Sequence, residues 1–138
     1  MNYSQDDPWT TGGLSIVGCT NVLVLNLTVP RAGTIIVTTT AHLWIDHTAG
    51  TTDRWIVMTS QSATDCADTN SSLVAFDGDV PSTWGSAATI NEVGTTVNAF
   101  PVTAAGTSTF YLNVAMSIGQ SAGDRVSEAS MVAVFYPS

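Results

Sequence analysis

The sequence TIIVTTTAHLWI, residues 34–45, is the longest strand pattern in this chain. Its odd-numbered positions, from Ile35 to Ile45, are mostly apolar, and its even-numbered positions are mostly polar. Successive side chains of a strand point to opposite faces, so this alternation predicts a strand with one buried face. The three threonines at 38–40 favour a strand over a helix, because β-branched side chains pack well on a pleated sheet.

The same alternation recurs on both sides of this segment. Turn residues separate the patterns, as in Pro30-Arg31-Ala32-Gly33 before residue 34. The further predicted strands cover residues 14–29, 54–59, 95–102, 108–118 and 126–136. We expect residues 34–45 and 54–59 to form a hairpin. The irregular region 61–94 is predicted to hold loops with short strands at 73–76 and 88–93.

About seven to nine strands at roughly 8–12-residue spacing predict an all-β antiparallel sandwich or barrel rather than a parallel sheet. Residues 1–13 are acidic and rich in glycine, and they predict an N-terminal arm that straps onto a neighbour. Residues 14–138 then form a single sandwich domain, since a chain of 138 residues fits one domain.

Charge is scarce in this chain. Only 10% of the residues are charged, against about 25% in typical soluble domains, and lysine is absent. The net charge of −8 argues against nucleic acid and against anionic membranes as partners, because binding to both requires cations. A surface covered by Thr, Ser, Asn, Gly and Ala suits contact with copies of the same chain or with another protein.

Neither a membrane span nor a secretory signal is present in the sequence. No apolar run approaches the roughly 20 residues that cross a bilayer, so membrane insertion is not expected. The first eight residues lack a basic region followed by an apolar one, so they are no signal peptide. Either a signal has been removed, or the protein does not use the secretory route, which is our expectation.

Two passages and the last strand resemble the C1q/TNF-like jelly rolls. Residues 27–37 are similar to the passage of that family in which a Pro-x-x-Gly turn precedes a strand. Residues 105–112 resemble its later glycine turn and strand, and residues 130–137 resemble its C-terminal core strand. The resemblance implies a ten-strand jelly roll that assembles as a homotrimer. Such trimers serve as ligand-binding or glycan-binding heads and as virion surface proteins. A low-charge strand face with Tyr111 and with Phe135 or Tyr136 is the expected oligomer interface.

Several residues are candidates for chemistry. Trp84 lies in a predicted loop and is the best contact residue, with Asp77 and Asp79 as possible ligand-binding neighbours. Asp65 and Asp68 are candidate calcium ligands, although their spacing is not that of an EF-hand, and an ordinary solvated acidic loop is the alternative. No other cofactor is expected.

The two cysteines and the two histidines leave alternatives open. Cys19 and Cys66 are either two small buried thiols or one disulfide that ties the first strand region to the loop after Trp55. Nothing in the sequence near His42, Asp46 and His47 completes a metal or acid–base site. We therefore expect a surface histidine and a loop Asp-His pair.

These observations predict a non-enzymatic structural or adhesive protein at a virion surface or outside the cell. No Gly-x-Ser-x-Gly elbow surrounds any serine, and no catalytic residue is predicted. The expected role is a trimeric decoration or receptor-binding head that contacts other capsid or surface proteins. The alternative is a secreted glycan-binding lectin domain that uses Trp84.

Overall fold

The computed structural model describes residues 2–6, 14, 18–66 and 73–138, which form two antiparallel four-stranded sheets. In chain order the strands are β1 Asn2–Asp6, β2 Thr20–Val29, β3 Gly33–His47, β4 Asp53–Ser60, β5 Ala75–Val80, β6 Ala88–Val102, β7 Gly106–Ile118 and β8 Arg125–Pro137. The first sheet has the order β1-β8-β3-β6, and the second has the order β2-β7-β4-β5. This is the strand order of an eight-stranded jelly roll, and it confirms the predicted β-sandwich. The resemblance implied ten strands, and the described residues contain eight. No helix that could cross a membrane occurs in them.

The alternation read from the sequence decides what lies inside the sandwich. All the odd-numbered residues from Ile35 to Ile45 are buried, as are Leu23, Leu25 and Leu27 of β2. Phe100 of the first sheet meets Phe110 of the second with ring centroids 4.9 Å apart. The core is therefore the layer between the two sheets, built from inward-facing side chains of both.

The predicted hairpin between residues 34–45 and 54–59 is wrong. β3 pairs with β6 and β8, whereas β4 pairs with β5 and β7 in the other sheet. The five residues 48–52 carry the chain across the core instead of turning it back within one sheet. Both strands present apolar residues to the same interior, and local alternation does not distinguish a turn within a sheet from a crossing between sheets.

The region after residue 61 is more regular than expected. Residues 88–93 and 95–102 form the single 15-residue strand β6, and Asp77 and Asp79 lie within β5 and not in a loop. Part of the predicted arm, Asn2–Asp6, forms β1 and pairs with β8 of its own chain. Residues 7–13 lie outside the described residues, so contact of the arm with a neighbour stays a prediction.

Gly94 allows β6 to continue as one strand. A Cβ atom at this position would overlap the ring of Phe76, which reaches across from β5. Phe76 packs against the core, so the two edge strands β5 and β6 are joined at this point. The glycine is therefore required by close packing, and it does not interrupt the strand as it does in the sequence-based prediction.

We expect Gly94→Ala to lower the free energy of unfolding by about 1–3 kcal/mol, which is the usual cost of overpacking a core. Urea denaturation followed by fluorescence measures the change. Gly85→Ala is the matched control, because nothing lies within 4 Å of a Cβ atom at Gly85. Equal stability of the two variants would contradict the packing of Phe76 on Gly94.

Candidate functional site

The outward face of the first sheet is uncovered by any described part of the chain. Four cross-strand rows of β3, β6 and β8 carry the outward side chains, beginning at Thr34 and ending at Thr40. We call this surface the open face; it consists of Thr34, Ile36, Thr38, Thr40, Thr95, Val97, Ala99, Pro101, Ser130, Val132, Val134 and Tyr136. These side chains are half-buried or exposed, and Val97 is 53% exposed and Tyr136 57% exposed.

The open face contains no charged side chain. Among the described side chains of this sheet, the first charged groups appear in the next rows, where His42 pairs with Glu128 and Trp44 pairs with Arg125. Polar groups within the open face satisfy each other, as in the 2.9 Å bond between the hydroxyls of Thr40 and Thr95. Four rows about 7 Å apart on three strands about 5 Å apart give an area of a few hundred Å², a size at which apolar patches are often functional.

The outward face of the second sheet differs, because a loop covers its centre. Ile56, Met58 and Ala115 point outward from β4 and β7, yet they are buried. The side chains of Cys66, Leu73 and Ala75 pack over them as a second apolar cluster. This explains why β4 is apolar at successive positions, since both of its faces are buried.

A disulfide between Cys19 and Cys66 anchors this covering loop, so the disulfide alternative of the sequence analysis is the one found. The amide nitrogen of Asn113 adds two bonds of 2.8 Å to the carbonyls of Ser62 and Asp65. Residues 61–66 are thus fixed on the sheet both covalently and by hydrogen bonds.

Of the two candidate calcium ligands, Asp65 belongs to the described residues and Asp68 does not. The carboxylate of Asp65 accepts a 3.0 Å hydrogen bond from the Ser60 hydroxyl at the end of β4. Asp68 lies outside the described residues. Within the described ranges, no three His, Cys, Asp or Glu side chains are grouped so that they could hold a metal. Calcium binding stays a prediction.

The predicted ligand-binding residues lie on adjoining elements. Asp77 and Asp79 point outward from β5, and Asp77 accepts a 3.2 Å bond from the guanidinium of Arg54 on the neighbouring strand. Trp84 lies in the following loop, residues 81–87, and is 44% exposed. The indole packs beside the His47 ring, with ring centroids 5.7 Å apart, and the rest of it is available for contact. One of the two carboxylates already has a cation.

The predicted interface residues do not share one surface. Tyr136 belongs to the open face, whereas Phe135 packs against the core. Tyr111 pairs with Val24 and faces outward from the second sheet. Strand alternation separates Phe135 from Tyr136, and the sandwich architecture separates Tyr111 from both.

The predicted loop Asp-His pair is instead the end of β3, and His47 is buried there. Its Nδ1 lies 2.5 Å from a carboxylate oxygen of Asp53, the first residue of β4. Its Nε2 lies 3.2 Å from the backbone carbonyl of Trp84. The sequence did contain a signal, because His47 continues the odd-numbered, inward-facing series of β3. A histidine at an inward position needs a polar partner, and nothing in the sequence marks Asp53 as that partner.

Asp124 holds the neighbouring loop before β8 and was also missed. Its buried carboxylate accepts backbone N–H bonds from Ser121 at 2.6 Å and from Asp46 at 2.8 Å. Burial raises the pKa of the Asp124 carboxyl, because desolvation penalises the charged form more than these bonds favour it. Asp124 is 71 residues from Asp53 in sequence, so only the fold brings them to one end of the sandwich.

The raised pKa values of His47, Asp124 and Glu92 predict a protein that is more stable in mild acid than at alkaline pH. The hydrogen bond to Asp53 raises the pKa of His47, and burial raises the pKa of Asp124 and of Glu92. A raised folded-state pKa means that the folded protein binds the proton more tightly, so its contribution to stability is lost as pH rises through that pKa. For His47 this loss begins above its ordinary pKa of 6.5.

We therefore expect the thermal midpoint to fall by a few degrees between pH 4.5 and pH 8.5 at constant ionic strength. Differential scanning calorimetry measures it. In Glu92→Gln the fall that begins near pH 4.5, the ordinary pKa of Glu92, should be smaller, while the fall due to His47 remains. A midpoint that rises over this range would contradict the prediction.

Comparison with known proteins does not show a family for this chain. No protein-family model matches it, and no curated protein matches it. Among solved structures, a match is the crystal structure of the infectious bursal disease virus VP2 subviral particle, at 9% identity and a TM-score of 0.22. The match covers 98% of this chain and 42% of the VP2 chain, so this chain spans less than half of that protein's length.

Proposed function

We propose that this protein is a non-enzymatic structural subunit of a virion surface, which assembles with copies of itself through the open face. The observation that carries the proposal is the open face, which bears no charged side chain and which no described part of the chain covers. The jelly-roll fold suits this role, and the resemblance to C1q/TNF-like domains implies a trimer as the assembly.

The charge distribution favours a second copy as the occupant of the open face. Each chain carries a net charge of −8, so two copies repel each other where their acidic side chains meet. The described acidic side chains lie off the open face, for example Asp77 and Asp79 on β5 and Glu128 beyond the last row. Contact through the open face buries Val97, Val132 and Tyr136 without desolvating an ion.

A structural role also agrees with the state of the histidines. His47 is buried with hydrogen bonds at both ring nitrogens, so it is not available as a base toward an external substrate. The disulfide is compatible with an extracellular or virion location, since cytosolic proteins rarely keep one.

Light scattering coupled to size-exclusion chromatography at micromolar concentration tests the proposal. We expect a mass three times the 14.4 kDa of one chain. A mass of one chain over the whole concentration range would overturn it. The position of the gene gives independent evidence, because neighbouring capsid or tail genes would support a virion role.

The second candidate is a glycan-binding domain, and the exposed indole of Trp84 favours it. An indole gives a large, rigid contact area for a sugar ring. If this candidate holds, a glycan array shows specific binding that Trp84→Ala weakens about tenfold or more, equivalent to roughly 1.4 kcal/mol. Val24→Ala, which removes an exposed apolar side chain elsewhere, should leave the binding unchanged. Absence of binding by the wild-type protein would exclude this candidate.

A further inference from the structure

His47 faces two hydrogen-bond acceptors, because an ionised carboxylate and a backbone carbonyl both lack a proton to donate. Nδ1 faces the ionisable carboxylate of Asp53, and Nε2 faces the carbonyl oxygen of Trp84. A neutral imidazole carries one N–H, whereas the imidazolium ion carries two. Only the protonated ring therefore satisfies both contacts at once.

We propose that protonation of His47 locks the 81–87 loop onto the end of the sandwich and that loss of this proton releases the loop. The loop carries the exposed indole of Trp84, so the pH of the surroundings controls how that indole is presented. This inference is independent of assembly through the open face.

The bond lost on deprotonation is the one to Trp84. The carboxylate of Asp53 lies 2.5 Å from Nδ1, against 3.2 Å for the Trp84 carbonyl from Nε2, and a charged acceptor makes the stronger bond. The remaining N–H therefore stays on Nδ1. Nε2 then directs a lone pair at the carbonyl oxygen, so the former attraction becomes a repulsion.

Little else in the described structure ties the loop to its surroundings through the backbone. The carbonyl of Trp84 also accepts a 3.2 Å bond from the N–H of Gly50, in the loop between β3 and β4. The N–H of Trp84 donates to Pro81 within the same loop, at 3.0 Å. The loop residues 81–87 are all exposed. Loss of the imidazolium bond therefore removes one of the two polar contacts made by the Trp84 carbonyl across to the sandwich.

The charged groups around His47 favour its protonated form. Asp53 faces it from β4, Asp46 precedes it on β3, and Asp124 lies in the loop before β8. Arg125, the nearest cation in sequence to Asp124, stacks on Trp44 at 4.5 Å from the ring centroid. The 81–87 loop has no charged side chain. In agreement, the bond to Asp53 raises the pKa of His47, which places the release above the ordinary pKa of histidine.

Two measurements on the wild-type protein test whether protonation of His47 holds the 81–87 loop in place. Nitrogen-15 chemical shifts of the His47 ring, followed from pH 5.5 to 9, report whether both ring nitrogens carry protons. Hydrogen exchange of the Gly50 amide, corrected for the intrinsic effect of pH, reports whether its bond to the Trp84 carbonyl is closed. We expect the imidazolium form at low pH, and protection of Gly50 that falls at least tenfold as the ring loses its proton.

The two histidines of the chain provide a matched pair of variants. His47→Gln should abolish the pH dependence of Gly50 protection, whereas His42→Gln, which alters the half-buried histidine on the outward side of β3, should retain it. A neutral His47 ring at pH 5.5, or protection of Gly50 that is constant over the range, would overturn the inference. So would a pH dependence that persists in His47→Gln. None of these results depends on oligomeric state.

Discussion

Val97→Glu is expected to convert the assembled protein into monomers. Val97 lies on the edge strand β6, in the row of the open face that also holds Thr38 and Val132, and its side chain is 53% exposed in the single chain. A carboxylate buried there would face an uncharged surface of another copy without a cation to pair with. An unpaired charge buried at an interface costs about 3–5 kcal/mol, equivalent to a loss of affinity of roughly two to four orders of magnitude.

Sedimentation velocity over a range of concentrations measures this effect. Val24→Glu is the matched control, since Val24 is 49% exposed and points outward from a strand of the second sheet. Both variants have the same change of net charge and the same chemistry, so only the face differs. We expect Val24→Glu to remain assembled.

The two ways of failing are distinct. If the wild-type protein is assembled and Val97→Glu stays assembled, the open face is not the interface. The proposal that the protein assembles with copies of itself then still holds. If the wild-type protein is a monomer, the proposed function itself fails. A thermal unfolding curve of Val97→Glu shows whether the variant is folded, which separates dissociation from unfolding.

Removal of the disulfide is expected to have the largest effect on stability. Cys19 and Cys66 are separated by 47 residues, and closing a loop of this length in the unfolded chain is worth about 4 kcal/mol. The Cys19→Ser/Cys66→Ser variant should therefore lose about 4 kcal/mol of unfolding free energy. For a domain of this size, the thermal midpoint should fall by about 10–20 °C.

The location of the bridge adds a local effect. Cys66 is part of the cover over Ile56, Met58 and Ala115. Release of residues 61–66 exposes these side chains on the second sheet, so the variant should also bind a hydrophobic dye more strongly than the wild-type protein.

Reductant provides the control for this experiment. It should lower the stability of the wild-type protein by a similar amount and leave the double serine variant unchanged. Wild-type stability that does not respond to reductant under unfolding conditions would show that the bridge contributes nothing.

The strand pattern of β3 shows how far alternation alone is informative. Because a strand has only two faces, the inward set from Ile35 to Ile45 is readable from the sequence without knowledge of any partner. The same rule also places His47 inward, which the prediction of a loop Asp-His pair overlooked because it ended the strand at residue 45. The pairing of β3 was not readable, because a turn between two strands looks the same whether the next strand joins the same sheet or crosses to the other.

The candidate sites show the complementary limit. His47 and Asp53 are six residues apart, but the Trp84 carbonyl and the Asp124 carboxylate reach the same end of the sandwich from distant segments. No spacing rule links such positions. The predicted interface residues failed to meet on one surface for a related reason, since the face that a residue occupies depends on which sheet its strand enters.

The sequence by itself determined most of the strands, their inward faces, the scarcity of charge and therefore an all-β sandwich or barrel, because these depend on local alternation and composition. Tertiary structure alone decided the strand order, the covered and open faces, the Cys19–Cys66 bridge and the environment of His47. Each of these requires segments distant in the chain to meet, and the free energy of such contacts is not encoded in any single local pattern.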